Sequence, residues 1–147
     1  MNNNSEVPSK MATRIRVRYV LSYKKLIRIP IGLTNDTIAE AMVNHLLSFG
    51  YKKVMAYGAG ELFMEFSRKA IISNIEIQSI ILSTPPDEQQ TTKNGINIYS
   101  IDHIKIPANM PVVLCSTIFH NEMRESLIAK EIPQEQIIDY CIALTYC

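Results

Sequence analysis

Val54-Met55-Ala56-Tyr57-Gly58-Ala59-Gly60-Glu61-Leu62-Phe63 is the stretch that decides how this chain folds: an apolar run breaks into a Gly-x-Gly turn and continues with helical spacing. That order predicts a strand, a tight turn and a helix start, the unit in which an open α/β sheet turns backbone N–H groups toward a phosphate. Gly58 lets the chain turn sharply out of the strand, and Gly60 leaves no Cβ where a phosphate would approach.

Downstream, strands and helices alternate. The strand over about 53–57 is followed by a helix over about 60–70, with Leu62, Phe63, Phe66 and Ala70 spaced to cover a sheet. Ile75 to Leu82 is a β-branched run suited to a buried parallel strand. A polar loop spans 83–95, then come a short extended segment at 96–99 and a turn or brief helix near 100–104. A strand at 111–115 leads through Ser116 and Thr117 into a helix at 121–130 with Met123, Leu127 and Ile128 inward. The last strand is expected at 137–140, with an extension through Ile142 and Leu144 left open. This alternation predicts a parallel sheet covered by helices, with right-handed crossovers: a Rossmann-like three-layer α/β domain over 51–147.

Upstream, residues 1–12 are Asn-rich and polar and read as a disordered leader. Residues 13–50 are expected to form a short hairpin and a helix. Arg14, Arg16 and Arg18 alternate with Ile15, Val17 and Tyr19, and Lys25 to Ile31 forms a second strand, with the turn near Ser22-Tyr23. The arginines fit either a solvated strand face or a stripe that binds phosphate or a partner. The helix over 36–49 shows Thr37 and Glu40 at capping-box spacing, Ile38, Met42, Leu46 and Phe49 on one face, and Gly50 as its stop.

Composition sets the limits. A chain of 147 residues with 47% hydrophobic content holds one domain with a real core. Fifteen basic against fourteen acidic side chains give net charge +1, which argues against a nucleic-acid or anionic-membrane partner. No run reaches the roughly 18 apolar residues of a membrane span. The start lacks a signal-peptide pattern. Cys115 sits in an apolar run, Cys141 and Cys147 have no ligand partners at metal spacing, and a reduced, cytoplasmic setting fits these three thiols.

In an open α/β sheet, ligands bind at the carboxyl ends of the strands. The candidate cofactor-binding residues are therefore Gly58, Ala59, Gly60 and Glu61, Ser83 and Thr84, and Ser116 and Thr117. Phe63 stands at the third small position of the dinucleotide fingerprint. Ser83 stands where an NAD-binding domain places an acid for the adenosine ribose. Glu61 complements the helix dipole yet competes for the N–H groups a phosphate needs. His120 is the one candidate acid or base near this edge, with no carboxylate identifiable beside it in the sequence, and no metal signature is present.

Lys53 to Glu61, Asn94 to Tyr99, and Pro111 to Ser116 leading into Asn121 to Leu127 together resemble a known module. It is the Rossmann-like nucleotide-binding accessory domain at the N-terminus of bacterial sugar acyltransferases and the C-terminus of some sugar methyltransferases, over roughly residues 50–140. The resemblance implies that a nucleotide sugar binds through Gly58, Ala59 and Gly60. The family's second strand ends in aspartate where this chain has Ser83, and the glycine usual before the Ile-Pro element is Glu131, a change expected to affect only the helix end. Neither the hexapeptide repeats of acyl transfer nor a methyltransferase core is present.

Three functions therefore stand open. The first is a nucleotide or nucleotide-sugar binding module in sugar or glycan modification, alone or with a protein partner or second copy. The second is a small NAD(P)-dependent oxidoreductase or epimerase-like enzyme. The third is a protein-interaction domain whose site is dead. An enzyme needs a proton donor beside the ligand, a binder needs an open glycine turn, and a dead domain plugs that turn with its own side chains.

Overall fold

The computed structural model describes residues 16–84 and 91–145; the leader at 1–12, Arg14, Ile15, Pro85 to Gln90 of the polar loop and Cys147 lie outside them. In chain order the strands and helices are β1 Val17–Ser22, β2 Lys25–Pro30, α1 Asn35–Ser48, β3 Lys53–Tyr57, α2 Glu61–Ile72, β4 Glu76–Leu82 and β5 Thr92–Lys93. They continue with β6 Ile96–Ser100, β7 Val112–Leu114, α3 His120–Ala129, β8 Ile137–Ile138 and α4 Tyr140–Thr145.

The sheet runs β5-β6-β4-β3-β7-β8, parallel throughout except for β5. The strand order reverses between β3 and β7, both of which flank the turn at Gly58. Successive residues point to opposite faces. Val54, Ala56, Ile80, Val113 and Ile138 enter one core with α1, α2 and α4. Met55, Tyr57, Ile81, Leu114 and Ile137 enter the other with Leu127 of α3. Two cores on one sheet make the three-layer architecture, and they explain why β3 reads as an unbroken apolar run.

The hairpin and α1 share the first of these cores through Ile29, Ile38, Met42 and Leu46. In α1 the N-cap is Thr34, whose Oγ1 accepts from the Thr37 N–H at 3.1 Å, so Thr37 is the capped residue and not the cap. Phe49, assigned to the buried face by its spacing, is exposed and packs against His45 and Tyr51 beyond the helix end. The hairpin turn is Tyr23-Lys24, both at positive φ (49° and 65°). Two-residue turns of this kind normally carry Asn-Gly.

Three helices end alike. Gly50, Asn74 and Glu131 adopt positive φ (74°, 61° and 65°) one position past the C-caps of α1, α2 and α3. The next residue's N–H returns to the helix, Tyr51 to Leu46, Ile75 to Ala70 and Ile132 to Leu127, in the Schellman pattern. Glu131 thus occupies a left-handed position that favours glycine.

The last element departs from expectation. Only Ile137 and Ile138 form a strand, because Asp139 caps a helix: its Oδ1 accepts from the Ile142 N–H at 2.9 Å and its carbonyl from Ala143 at 3.1 Å. Tyr140 to Thr145 is therefore α4 and no strand extension exists. No described helix is long and apolar enough to cross a membrane.

Candidate functional site

The glycine turn lies at the reversal point of the sheet. Gly58 has φ +106°, and a Cβ there would meet the Cys115 carbonyl oxygen and Met123 Cε, each at 3.2 Å. The conformation favours glycine, and the space beside it is tight. Gly60 is the N-cap of α2; among the described residues no side chain caps the helix, and a Cβ placed on Gly60 would meet nothing within 4 Å. The amino end of a 12-residue helix is thus open in front of Gly60. Glu61, the first residue of α2, is exposed.

A cation absent from the turn's own sequence arrives from elsewhere. Lys93, in β5, donates from Nζ to the Ala59 carbonyl at 2.8 Å. A backbone carbonyl cannot neutralise an ammonium, so a positive charge stands beside the helix N-terminus, where the dipole already favours an anion. Sequence spacing could not reveal Lys93, which meets Ala59 across 34 residues through the β5–β6 ribbon.

The other candidate residues divide. Ser83, exposed at the end of β4, exchanges a 2.8 Å hydrogen bond with the hydroxyl of the buried Tyr57. Thr84 beside it is exposed. Ser116 Oγ accepts from the N–H groups of Ile118 (3.2 Å) and Phe119 (2.8 Å), so it shapes the loop entering α3. Thr117 lines a cavity under the hairpin together with Arg18 and Tyr140. Another cavity, of about 640 Å³, is lined by Tyr23, His45, Phe49, Tyr51 and Ile142 among others, and includes none of the glycine-turn residues.

His120 has the carboxylate that the sequence did not reveal. Its Nδ1 lies 2.8 Å from Asp139 Oδ2, 19 residues away, and the imidazole is 2% exposed. Because a carboxylate only accepts, Nδ1 carries the proton, and Nε2 faces Asn121 Nδ2 at 3.5 Å. The same Oδ2 accepts from Ser22 Oγ at 2.6 Å and pairs with Arg124 Nη2 at 2.8 Å. Burial alone would raise the Asp139 carboxyl. The bonds from His120, Ser22 and the Ile142 N–H, with the Arg124 charge, outweigh it and hold the pKa down to about 2.

Arg124 is 1% exposed, and among the described residues its Nε and Nη1 have no hydrogen-bond partner. The Nη2 contact with Asp139 is an ion pair without hydrogen-bond direction. Tyr23 covers the guanidinium, its ring centroid 5.8 Å from Cζ. Asn121 Nδ2 donates to the Leu21 carbonyl at 2.6 Å. The cluster therefore fastens the hairpin to α3 and α4. Sequence reasoning missed Asp139 and Arg124, although Asp139 at the end of a β-branched run and before five apolar residues is an N-cap signal.

Cys141, without ligand partners in the sequence, comes within 4.8 Å of donor atoms of His120 and Asp139. Three donors of this kind can hold zinc. Here the Arg124 guanidinium already stands at Asp139 Oδ2 as the counter-cation, and burial pushes the Cys141 thiol up to about 12, away from the thiolate a metal needs. No protein-family model, curated protein or solved structure matches this chain.

Proposed function

We propose that the chain is a nucleotide or nucleotide-sugar binding module that serves sugar or glycan modification. The observation that carries this reading is the open amino end of α2 at Gly60, beside the Lys93 ammonium and at the reversal point between β3 and β7. Backbone N–H groups, helix dipole and lysine act in the same direction on a diphosphate. A dead domain would fill this turn with its own side chains, and among the described residues none comes within 4 Å of a Cβ placed on Gly60.

The enzymatic alternative rests on His120, which is buried and bound to Asp139 within the cluster that holds the hairpin. The sugar part of the reading rests on the resemblance of the glycine turn and the 94–99 and 111–127 segments. Ser83 offers the ribose a neutral hydroxyl, already engaged with Tyr57, in place of a carboxylate. NAD is therefore a poorer ligand than nucleotides whose recognition depends on the diphosphate.

Calorimetric titration with nucleoside diphosphates, nucleotide sugars and NAD tests the proposal. At least one diphosphate ligand is expected to bind wild type and to lose binding in Gly60→Val, with the circular dichroism spectrum unchanged. Equal affinity in the two proteins, or no binding across the panel, refutes it.

A further inference from the structure

A cavity of about 280 Å³ lies between the hairpin, the amino end of α1 and the residues that follow β7 and β8. Its polar lining is Arg18, Asn35, Thr117 and Tyr140, set among aliphatic side chains of the hairpin and α1. Tyr140 is 1% exposed, and among the described residues its buried Oη meets no nitrogen or oxygen in hydrogen-bond geometry, the Cys141 thiol, a weak acceptor, being the one side chain that bonds it loosely. The polar groups acting on that phenol are the Cys141 thiol, the Asp139 carboxylate and the Arg18 guanidinium. A buried hydroxyl without a good acceptor, lining the same space as an arginine, is the half of a binding site that protein normally supplies.

We infer that this cavity binds a small anion, a phosphate or carboxylate group paired with Arg18 and hydrogen-bonded by Thr117, Asn35 and Tyr140 Oη. The volume suits a small anion, lying at the bottom of the range for drug-sized ligands, which begins at about 300 Å³. The nearby acids are engaged elsewhere. Asp36, next to Asn35, pairs with Lys69 at 2.9 Å, and Asp139 is held by Arg124, His120 and Ser22. Burial pushes the Tyr140 phenol up to about 12, so Oη keeps the proton it donates at neutral pH. The lining shares no residue with the glycine turn, so this site stands apart from the proposed nucleotide site.

Calorimetric titration of the full chain with inorganic phosphate and, separately, with acetate, at constant ionic strength set by chloride, tests the inference. Saturable binding of one or both in the millimolar range is expected, weakened roughly tenfold or more in Arg18→Gln and in Tyr140→Phe and unchanged in Gly60→Val. Binding of phosphate alone identifies a phosphate ligand, and binding of acetate alone a carboxylate. If Tyr140→Phe fails to fold, Arg18→Gln, at an exposed hairpin position, decides. No saturation by either anion, which means a cavity filled by water only, overturns the inference. So does binding that Arg18→Gln leaves intact or that Gly60→Val abolishes.

Discussion

Asp139→Asn is expected to destabilise the fold by about 3–5 kcal/mol at pH 7, the scale for stripping one partner from a buried ion pair. If the amide oxygen keeps the Ile142 cap, its NH₂ group faces Arg124, which only donates, and Ser22 and His120, which must give up donating and turn to accept. Arg124, already with Nε and Nη1 unpartnered, becomes a buried cation without a counter-charge. Arg124→Met should cost less, because Asp139 retains its bonds from Ser22, His120 and the Ile142 N–H. The double variant should recover more than about 1 kcal/mol relative to the sum of the singles. A pH signature accompanies this. The Asp139 pKa falls from 3.8 to about 2 on folding, so its contribution is present above about pH 4 and is lost as pH falls through about 2. That amounts to about 2 kcal/mol. Urea denaturation followed by circular dichroism, at pH 7 and in steps from pH 5 to 2, measures both effects. The reasoning fails if Asp139→Asn lies within about 1 kcal/mol of wild type at pH 7, or keeps the wild-type loss of stability between pH 4 and 2.

Glu131→Gly is expected to raise stability by about 1 kcal/mol in thermal denaturation, since it relieves a left-handed residue at the end of α3; a decrease would show that the side chain contributes more than the strain costs. Lys93→Ala should weaken the nucleotide ligand roughly tenfold, the scale of one charge-assisted hydrogen bond, while the urea midpoint barely moves; unchanged affinity removes Lys93 from the site. His120→Ala should leave nucleotide affinity within about 1 kcal/mol. Turnover of a nucleotide sugar or dinucleotide that disappears in this variant would establish an enzyme instead. NAD should bind no tighter than about 0.1 mM, and micromolar binding by calorimetry would restore the oxidoreductase reading.

The three-layer fold was legible because its central strands are local apolar runs and its helices carry a one-sided spacing. Val54 to Tyr57 reads as buried on both faces, and Leu62, Phe63, Phe66 and Ala70 are buried as their spacing predicts. The glycine turn was legible for the same local reason, since Gly58 adopts the conformation its position after the strand implied. What escaped depends on distant contacts or competing signals. Lys93 reaches Ala59 across 34 residues, and Ser22 meets Asp139 across 117. The strand extension past Ile138 failed because apolar content alone does not separate a short buried helix from a strand, and the N-cap carboxylate of Asp139 decided the outcome. Phe49 escaped because helical spacing holds only to the C-cap, where the chain turns away.

The most direct test of the proposed nucleotide site is amide chemical-shift mapping on ¹⁵N-labelled protein titrated with the tightest-binding nucleoside diphosphate. The largest shifts are expected at the N–H groups of Gly60, Glu61 and Leu62, with a further change at the Lys93 side chain, all saturating with one dissociation constant. Shifts centred instead on the residues around Tyr23, His45 and Tyr51, or none at saturating nucleotide, would contradict the account.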